Sequence, residues 1–276
     1  MCGQFNVSNF WQCASLKKEI TLINLKDKVA LVIGASSEPG IGSAIAKKFA
    51  DAEAKVILSG RRKDALEKIA NEIGGSFVQA DFTNDNEVKD LIRGIVTRHG
   101  SLDIAVNSVG MYNPLPIAEM TRDHLQDYSN LHFISPTLFI KECAEGMKNG
   151  GSIITLSSLT VELTNTGLGG YAGAKAATDK IVQIAAYEYG PQGIRINSLS
   201  PGLVETEMTQ GLFQIPSMVA AFIKEIPIGR MPTLEDVSHA ALWLASDQCI
   251  TTGDNIRVSG GGHLRRLPTM EELTGE

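Results

Sequence analysis

The chain has 276 residues, of which 43% are hydrophobic and 20% are charged, and its formal net charge is −6. This length suits one large α/β domain or two small ones, and the composition allows a sizeable buried core. The acidic balance and the lack of a basic stripe argue against a nucleic-acid-binding protein. No apolar run approaches the length of a membrane-spanning helix, so no membrane partner is expected.

The cysteines and the first residues bear on the cellular compartment. The cysteines are Cys2, Cys13, Cys143 and Cys249, and their spacing indicates neither a disulfide framework nor a zinc site. This usage is typical of a reducing compartment, so we expect a cytoplasmic protein. Residues 1–24 lack the apolar core of a signal peptide and are interpreted as an extension, with an organelle-targeting peptide as the alternative. The scattered histidines predict no metal site.

Strand-like and helix-like segments alternate from Lys28 onward. Short, apolar, β-branched runs predict buried parallel strands at 29–34, 55–60, 76–80, 102–107, 152–157 and 194–200. Helix-favouring segments lie between them, at 41–52, 64–73, 84–99, 122–147 and 171–189. This alternation predicts an α/β fold: a single doubly wound Rossmann-type domain with a roughly seven-stranded parallel sheet flanked by helices.

A glycine-rich turn from Gly34 to Gly42 follows the first predicted strand and opens the first helix. Glycines let the backbone approach a pyrophosphate, and the helix N-terminus offers N–H groups and a positive dipole end. The turn therefore predicts a dinucleotide-phosphate site, although a tight turn also needs glycine for its own conformation.

The second predicted strand ends in Ser59-Gly60-Arg61-Arg62. Dinucleotide-binding folds often place an acidic residue here to bind the ribose hydroxyls, and none is present. An arginine can hold a 2′-phosphate through bidentate, charge-assisted bonds, so Arg61 favours NADP over NAD. The alternative is that Arg61 and Arg62 are solvated residues at the start of a helix.

Tyr171 and Lys175 lie one turn apart on one face of a predicted helix. A tyrosine hydroxyl titrates near pH ~10, and a fixed ammonium nearby favours the phenolate and lowers that pKa. A lowered pKa suits acid–base catalysis near neutral pH. Ser158 follows the fifth strand, where its hydroxyl could donate to a carbonyl oxygen beside the tyrosine. On its own, a YxxxK pair is also compatible with an ordinary surface helix.

Taken together, these motifs resemble the short-chain dehydrogenase/reductase (SDR) family of the YxxxK type, over roughly Leu25 to Gly262. The resemblance divides the chain into an extension (1–24), an SDR Rossmann-fold domain (25–262) and a C-terminal tail (263–276). The family's catalytic residues match Asn130, Ser158, Tyr171 and Lys175. The expected cofactor-binding residues are Gly34, Ser36, Ser37, Gly40, Ile41, Gly42, Arg61, Asp81, Phe82, Asn107, Gly110, Tyr171, Lys175, Pro201, Gly202, Val204 and Thr206.

The resemblance implies an oxidoreductase that transfers a hydride between NADP(H) or NAD(H) and a CH–OH group or ketone. It implies that Tyr171 is the acid–base group, and that Lys175 lowers the pKa of Tyr171 and binds the nicotinamide ribose. It also implies that Ser158 polarises the substrate oxygen and that Asn130 holds a water in a proton relay. Thr206 is expected to hold the nicotinamide carboxamide.

The sequence departs from the family pattern in two places. Glu38 and Pro39 lengthen the common GxxxGxG turn. An inward-pointing Glu38 would repel phosphate, so we expect the loop to bulge outward and leave Gly40-Ile41-Gly42 to meet the pyrophosphate. The second departure, Ser108-Val109 after Asn107, is expected to matter little.

The segment after Thr206 covers the substrate in this family, and here it is apolar. Its apolar residues include Leu212, Phe213, Ile215, Met218, Val219 and Phe222. They predict a hydrophobic substrate, unless they only pack the segment on its own domain.

The resemblance also implies subunit contacts through the helices that contain Asn130 and Tyr171. The second faces of these helices carry Ile181, Ile184 and Ala185, which favours a homotetramer or a homodimer. Outside these motifs, we expect Trp243 in the core, and Glu271 and Glu272 solvated in a loose or subunit-crossing tail.

Several functions compete. The leading one is an NADP(H)-dependent oxidoreductase acting on an apolar secondary alcohol or ketone. A 3-oxoacyl-(acyl carrier) reductase should show a basic docking patch, for which Arg122 and Arg230 are candidates. An NAD-dependent alcohol dehydrogenase is a further alternative. A non-catalytic dinucleotide-binding protein is disfavoured because all four catalytic matches are present, and an enoyl reductase because its relatives space tyrosine and lysine more widely.

Overall fold

The protein is described by a computed structural model that covers residues 23–274. Its strands form one parallel sheet in the order β3-β2-β1-β4-β5-β6-β7, which confirms the predicted fold class. The strands are β1 (Val29–Ile33), β2 (Lys55–Gly60), β3 (Ser76–Gln79), β4 (Ile104–Asn107), β5 (Gly151–Leu156), β6 (Ile194–Pro201) and β7 (Asn255–Val258). The organelle-targeting alternative concerns residues 1–24, of which 1–22 lie outside the described range.

Helices cover both faces of the sheet. They are α1 (Ile41–Asp51), α2 (Lys63–Ile73), α3 (Asp85–His99), α4 (Arg122–Ser129), α5 (Ser135–Gly146), α6 (Gly169–Tyr189), α7 (Gln210–Phe213), α8 (Pro216–Lys224), α9 (Leu234–Ala245) and α10 (Met270–Thr274). Within residues 23–274, no helix has the length and apolar character needed to cross a membrane.

The core has two halves because side chains alternate along each strand. In β1, Ala30 and Val32 face the half covered by α1, α2 and α9. Leu31 and Ile33 face the opposite half, covered by α3, α5 and α6. All of β1 is buried, as expected for a parallel strand covered on both faces.

The single helix predicted over 122–147 is interrupted by a π-helical turn, Asn130–Ile134, between α4 and α5. In that turn the amide of Ser135 donates to the Asn130 carbonyl. Pro136 has no N–H to offer the His132 carbonyl, which instead accepts a hydrogen bond from the Thr178 hydroxyl on α6. The proline and this contact with another helix account for the wider turn, which lies beside the candidate site.

Two expectations about single residues are wrong. Trp243 is 36% exposed, because the core-facing stripe of α9 consists of Val237, Ala241 and Leu244. Glu272 is not simply solvated: its carboxylate pairs with Arg266 at 2.7 Å. The tail is also bonded to the body of its own chain, since the Asn165 amide donates to the Pro268 carbonyl at 2.7 Å.

Candidate active site

The glycine-rich turn brings the start of α1 into contact with the end of β1. A Cβ atom on Gly42 would lie 2.7 Å from the Gly34 carbonyl oxygen, and one on Gly34 would lie 2.7 Å from the Ser108 carbonyl carbon. Gly34 also has a φ of +84°, which disfavours other residues. The two glycines are therefore required by close backbone packing at the carboxyl end of the central strands.

The N-terminus of α1 is open to an anion. Gly40 is the N-cap residue, no side chain caps the helix, and its first turn contains no acidic residue. The first N–H groups of a helix lack partners within the helix, and the helix dipole favours negative charge there. This arrangement fits a dinucleotide phosphate, which the backbone of Gly40, Ile41 and Gly42 would hold.

In the inserted pair Glu38-Pro39, the Glu38 side chain is held by lysines of two neighbouring helices. The Glu38 carboxylate pairs with Lys47 on α1 and with Lys68 on α2, the latter at 3.2 Å. These ammonium groups lower the pKa of Glu38. The negative charge of Glu38, which could repel a phosphate, is thus paired with lysines on the outer surface. This pairing agrees with the expected outward bulge of the loop.

Arg62, rather than Arg61, contacts the glycine-rich turn. Its guanidinium donates to the Ser37 hydroxyl at 2.7 Å and binds both carboxylate oxygens of Glu207 at 2.8 and 2.9 Å. The exposed Arg61 instead accepts a hydrogen bond from Gln79 through its carbonyl oxygen. Sequence reasoning missed Glu207, because 145 positions separate it from Arg62.

The ends of β3 and β4 place three further expected residues at the same edge of the sheet. The Asp81 carboxylate accepts hydrogen bonds from the backbone amide and the hydroxyl of Thr83. These bonds, above all the one from the amide, lower the pKa of Asp81. Asn107 is buried and accepts from the Val109 amide at 3.0 Å. The Phe82 ring, in contrast, is buried in the core against Phe139, so only its backbone is available to a cofactor.

The chain after β6 forms another wall of the site. Val204 is buried, and its carbonyl accepts from the Thr209 hydroxyl at 2.6 Å. That hydroxyl also accepts from the Thr206 amide at 2.9 Å, which fixes the position of Thr206. A Cβ atom on Gly202 would lie 3.2 Å from the Pro232 ring, so Pro201-Gly202 passes close to the segment before α9.

Ser158 and Tyr171 are brought together by β5 and α6. Ser158 follows β5, and its hydroxyl oxygen accepts from the amide and the hydroxyl of Thr160 at 3.2 and 3.0 Å. Both lone pairs are then used, so the Ser158 proton is directed to another acceptor. The Ser158 hydroxyl lies close enough to the Tyr171 phenol to lower the pKa of that phenol. A carbonyl oxygen held there would meet two hydroxyl donors.

Lys175 lies behind Tyr171 and is only 5% exposed. Its ammonium donates to the Leu156 carbonyl and lies 5.9 Å from the centre of the Tyr171 ring. Burial lowers the pKa of Lys175 to about 8. Burial raises the pKa of Tyr171, and the neighbouring Ser158 hydroxyl opposes that shift in part. The expected lowering of this pKa by Lys175 stays a prediction.

Two aromatic side chains that sequence reasoning missed bracket the Tyr171 ring. His132 and Tyr112 meet it edge to face, with ring centres 5.1 and 5.7 Å away. His132 is 1% exposed and bonds the Met111 carbonyl through Nε2 at 3.0 Å. Burial lowers the pKa of His132 to about 3, so the ring is neutral and places no second cation beside Lys175. Asn130, in the same π-helical turn, accepts from Gln126 at 2.9 Å.

Asp179 is a further missed residue, one turn after Lys175 on α6. Its carboxylate accepts from Ser157 at 2.7 Å, from Ser198 at 2.5 Å and from Asn255 at 2.9 Å. Burial raises the pKa of Asp179, and these donors oppose that shift. The carboxylate therefore joins α6 to β5, β6 and β7 directly behind the site.

We expect Asp179→Ala to lower the free energy of unfolding by roughly 2–4 kcal/mol, because three donors lose their acceptor inside the protein. Urea unfolding measures this loss. Asp247→Ala is the matched control, since the Asp247 side chain is 82% exposed. Equal stabilities of the two variants would show that the Asp179 network contributes nothing.

Comparisons with known proteins agree with this arrangement. A family model described as enoyl-(acyl carrier protein) reductase matches residues 34–263. The chain is 32% identical to a 7alpha-hydroxysteroid dehydrogenase of Escherichia coli K12, over 87% of this chain and 96% of the relative. It is 30% identical to a 3-oxoacyl-(acyl-carrier-protein) reductase of Vibrio cholerae, over 88% of this chain and all of the relative.

A solved structure shows the same fold. It is a short-chain type dehydrogenase/reductase from Mycobacterium ulcerans, 29% identical, with a TM-score of 0.86 over 90% of this chain and 94% of that one. The chain belongs to the short-chain dehydrogenase/reductase family. It is therefore an NAD(P)-dependent oxidoreductase that acts on CH–OH groups or ketones.

Proposed function

We propose that the protein is a cytoplasmic oxidoreductase that transfers a hydride between NADP(H) and an apolar secondary alcohol or ketone. The observation that carries the proposal is the proximity of the Ser158 hydroxyl to the Tyr171 phenol, with the buried ammonium of Lys175 5.9 Å from the centre of the Tyr171 ring. Two hydroxyl donors converging on one oxygen suit a carbonyl that becomes an alkoxide.

The chain's own groups divide the work. Bound NADP(H) supplies or accepts the hydride. Ser158 donates a hydrogen bond that orients the substrate oxygen, and Tyr171 gives it a proton or removes one. Lys175 is protonated at neutral pH, because its pKa of about 8 lies above that range. Its charge stabilises the phenolate that remains when Tyr171 has given up its proton. By the family resemblance, Asn130 holds the water that returns a proton.

Arginines at the end of β2 support NADP over NAD. Arg61 and Arg62 follow Gly60, where a 2′-phosphate would lie, and Arg62 is hydrogen-bonded to the glycine-rich turn at Ser37. We expect replacing both arginines by glutamine to weaken NADPH binding by about tenfold or more while changing NADH binding little. Fluorescence titration at matched salt measures both affinities. Equal or tighter NADH binding by the wild type would contradict the NADP preference.

An apolar substrate is supported by the segment that contains α7 and α8. No residue of α7 or α8 is fully buried, so their apolar side chains have exposed surface that a ligand could contact. Ile215 is 41% exposed. The relative named 7alpha-hydroxysteroid dehydrogenase acts, by its name, on a bulky apolar alcohol. We expect NADPH to be oxidised faster with alicyclic ketones than with short polar ones.

Reduction of 3-oxoacyl thioesters is the second candidate, favoured by the name of the Vibrio cholerae relative. The basic patch expected for an acyl carrier has little support, since Arg230 is held by Asp236 in a bidentate pair at 2.6 and 3.0 Å. Turnover of acetoacetyl thioesters above that of alicyclic ketones would favour this candidate. The YxxxK spacing of Tyr171 and Lys175 continues to disfavour enoyl reduction.

Assembly into a homotetramer or homodimer is supported by exposed apolar residues on the helices around the site. They are Leu125, Ile134, Ile184 and Tyr187, between 38% and 86% exposed. Two residues expected on that surface are not there. Ala185 is buried in the half of the core covered by α3, α5 and α6, and Ile181 packs against that half. Light scattering at micromolar concentration tests the assembly, and a monomer would contradict it.

A further inference from the structure

Arg62 and Glu207 join the two sides of the proposed cofactor mouth. Arg62 precedes α2 at the end of β2, and Glu207 follows Thr206 on the segment that leads from β6 into α7. Their side chains meet in a bidentate pair, with N–O distances of 2.8 and 2.9 Å. The pair therefore connects the glycine-rich turn with the segment that covers the substrate.

Both partners are held in position by other groups. The Glu207 amide donates to the Pro39 carbonyl at 2.9 Å, which fixes its backbone against the inserted loop. Arg62 also donates to Ser37 at 2.7 Å and to Ser36 at 3.4 Å. The Arg62 guanidinium lowers the pKa of Glu207 to about 2, so the carboxylate is charged at neutral pH. The Arg62 guanidinium, which could bind an anion of a ligand, is thus already paired with the Glu207 carboxylate of its own chain.

The occupied site has the chemistry of a phosphate site. An arginine fork binds carboxylate and phosphate oxygens in the same bidentate geometry. The hydroxyls of Ser36 and Ser37 add two groups that could donate to a phosphate. Within residues 23–274, Glu207 is the one carboxylate in salt-bridge range of Arg62. Glu38, on the neighbouring loop, pairs instead with Lys47 and Lys68.

We propose that Glu207 is an internal competitor for the 2′-phosphate of NADP(H), and that Arg62 exchanges Glu207 for this phosphate when the cofactor binds. This inference rests on the proposed function. NAD(H) has no group for Arg62 and leaves the pair intact. Glu207 therefore lowers the affinity for NADP(H) selectively, and the Arg62–Glu207 pair is broken only when the phosphorylated cofactor is present.

The test is a set of dissociation constants for NADPH and NADH, measured with the full chain by fluorescence titration at matched salt. The variants are Glu207→Gln, Arg62→Gln and the double variant. Glu205→Gln is the control for charge, since Glu205 is exposed on the same segment. Arg61→Gln is the control for the loss of one arginine charge at this position, since Arg61 neighbours Arg62 while Glu207 is bound by Arg62.

We expect Glu207→Gln to tighten NADPH binding about fivefold and to change NADH binding less than twofold. Glu205→Gln should leave both affinities unchanged. The gain should vanish in the double variant, because Arg62 is then no longer there to bind the phosphate. Unchanged NADPH binding in Glu207→Gln, or an equal gain for NADH, would overturn the inference.

The same constants separate this inference from the proposed NADP preference. If the wild type prefers NADPH, and Arg61→Gln but not Arg62→Gln removes the preference, the competitor role of Glu207 is wrong while the proposed function stands. If the wild type prefers NADH but Glu207→Gln gains NADPH affinity through Arg62, the competitor role stands and the NADP preference is wrong.

Discussion

Replacing Tyr171 with phenylalanine is expected to lower kcat by about 10²–10⁴-fold, the usual contribution of a positioned acid–base group. The variant keeps the ring that lies between His132 and Tyr112 and loses only the hydroxyl. NADPH affinity should therefore stay within about twofold, because packing around the site is unchanged. Steady-state ketone reduction and fluorescence titration on the same preparation measure the two effects.

Tyr112→Phe is the matched control for this experiment. Tyr112 lies 5.7 Å from Tyr171 between ring centres, and its substitution also removes one phenol at the mouth of the site. We expect it to retain kcat within a few fold, since Tyr112 is not assigned a proton-transfer role. Wild-type turnover in Tyr171→Phe, or equal losses in both variants, would contradict the assignment of Tyr171 as the acid–base group.

Lys175→Met is expected to lower kcat by at least about a hundredfold and to change how stability depends on pH. The turnover falls because no charge is left to stabilise the Tyr171 phenolate. The stability effect follows from burial, which lowers the pKa of Lys175 from 10.5 to about 8 in the folded chain. Keeping this ammonium buried at neutral pH costs the folded state roughly 3 kcal/mol.

The sign of the pH effect follows from proton binding. Between pH 8 and pH 10.5 the unfolded chain holds the Lys175 proton and the folded chain does not. Stability therefore rises with pH across this window, and below it the full cost remains. Between these pH limits, we expect the free energy of unfolding of the wild type to rise relative to that of Lys175→Met by up to roughly 3 kcal/mol. Urea unfolding at several pH values measures the difference, and parallel curves would contradict a buried ammonium.

Much of the fold could be predicted from local patterns. The β1 run, Val29–Ile33, is continuously apolar, follows the polar residues Lys26-Asp27-Lys28 and is followed by Gly34, so it predicts a buried parallel strand. β7 lacks a clear strand pattern in the sequence, because its residues are at most partly buried at the edge of the sheet and include an exposed Arg257. Trp243 lies in an apolar run, and only the packing of Val237, Ala241 and Leu244 against the core shows that its side chain faces outward.

The parts of the site that were missed depend on contacts between distant segments. Arg62 and Glu207 meet only because the chain after β6 passes the glycine-rich turn. Asp179 has no local signal, since its three donors lie on β6, on β7 and just after β5. His132 was one of several scattered histidines, and only the π-helical turn directs it toward Tyr171.

The central claim is that the oxygen-binding site of Ser158 and Tyr171 serves reduction of an apolar ketone by NADPH. It is tested most directly by incubating the purified full chain with NADPH and an alicyclic ketone, and following NADPH absorbance together with alcohol formation. We predict one alcohol formed for each NADPH oxidised, faster than with NADH and abolished by Tyr171→Phe. Tight NADPH binding without alcohol formed from any apolar ketone, or equal rates in the Tyr171→Phe variant, would contradict the claim.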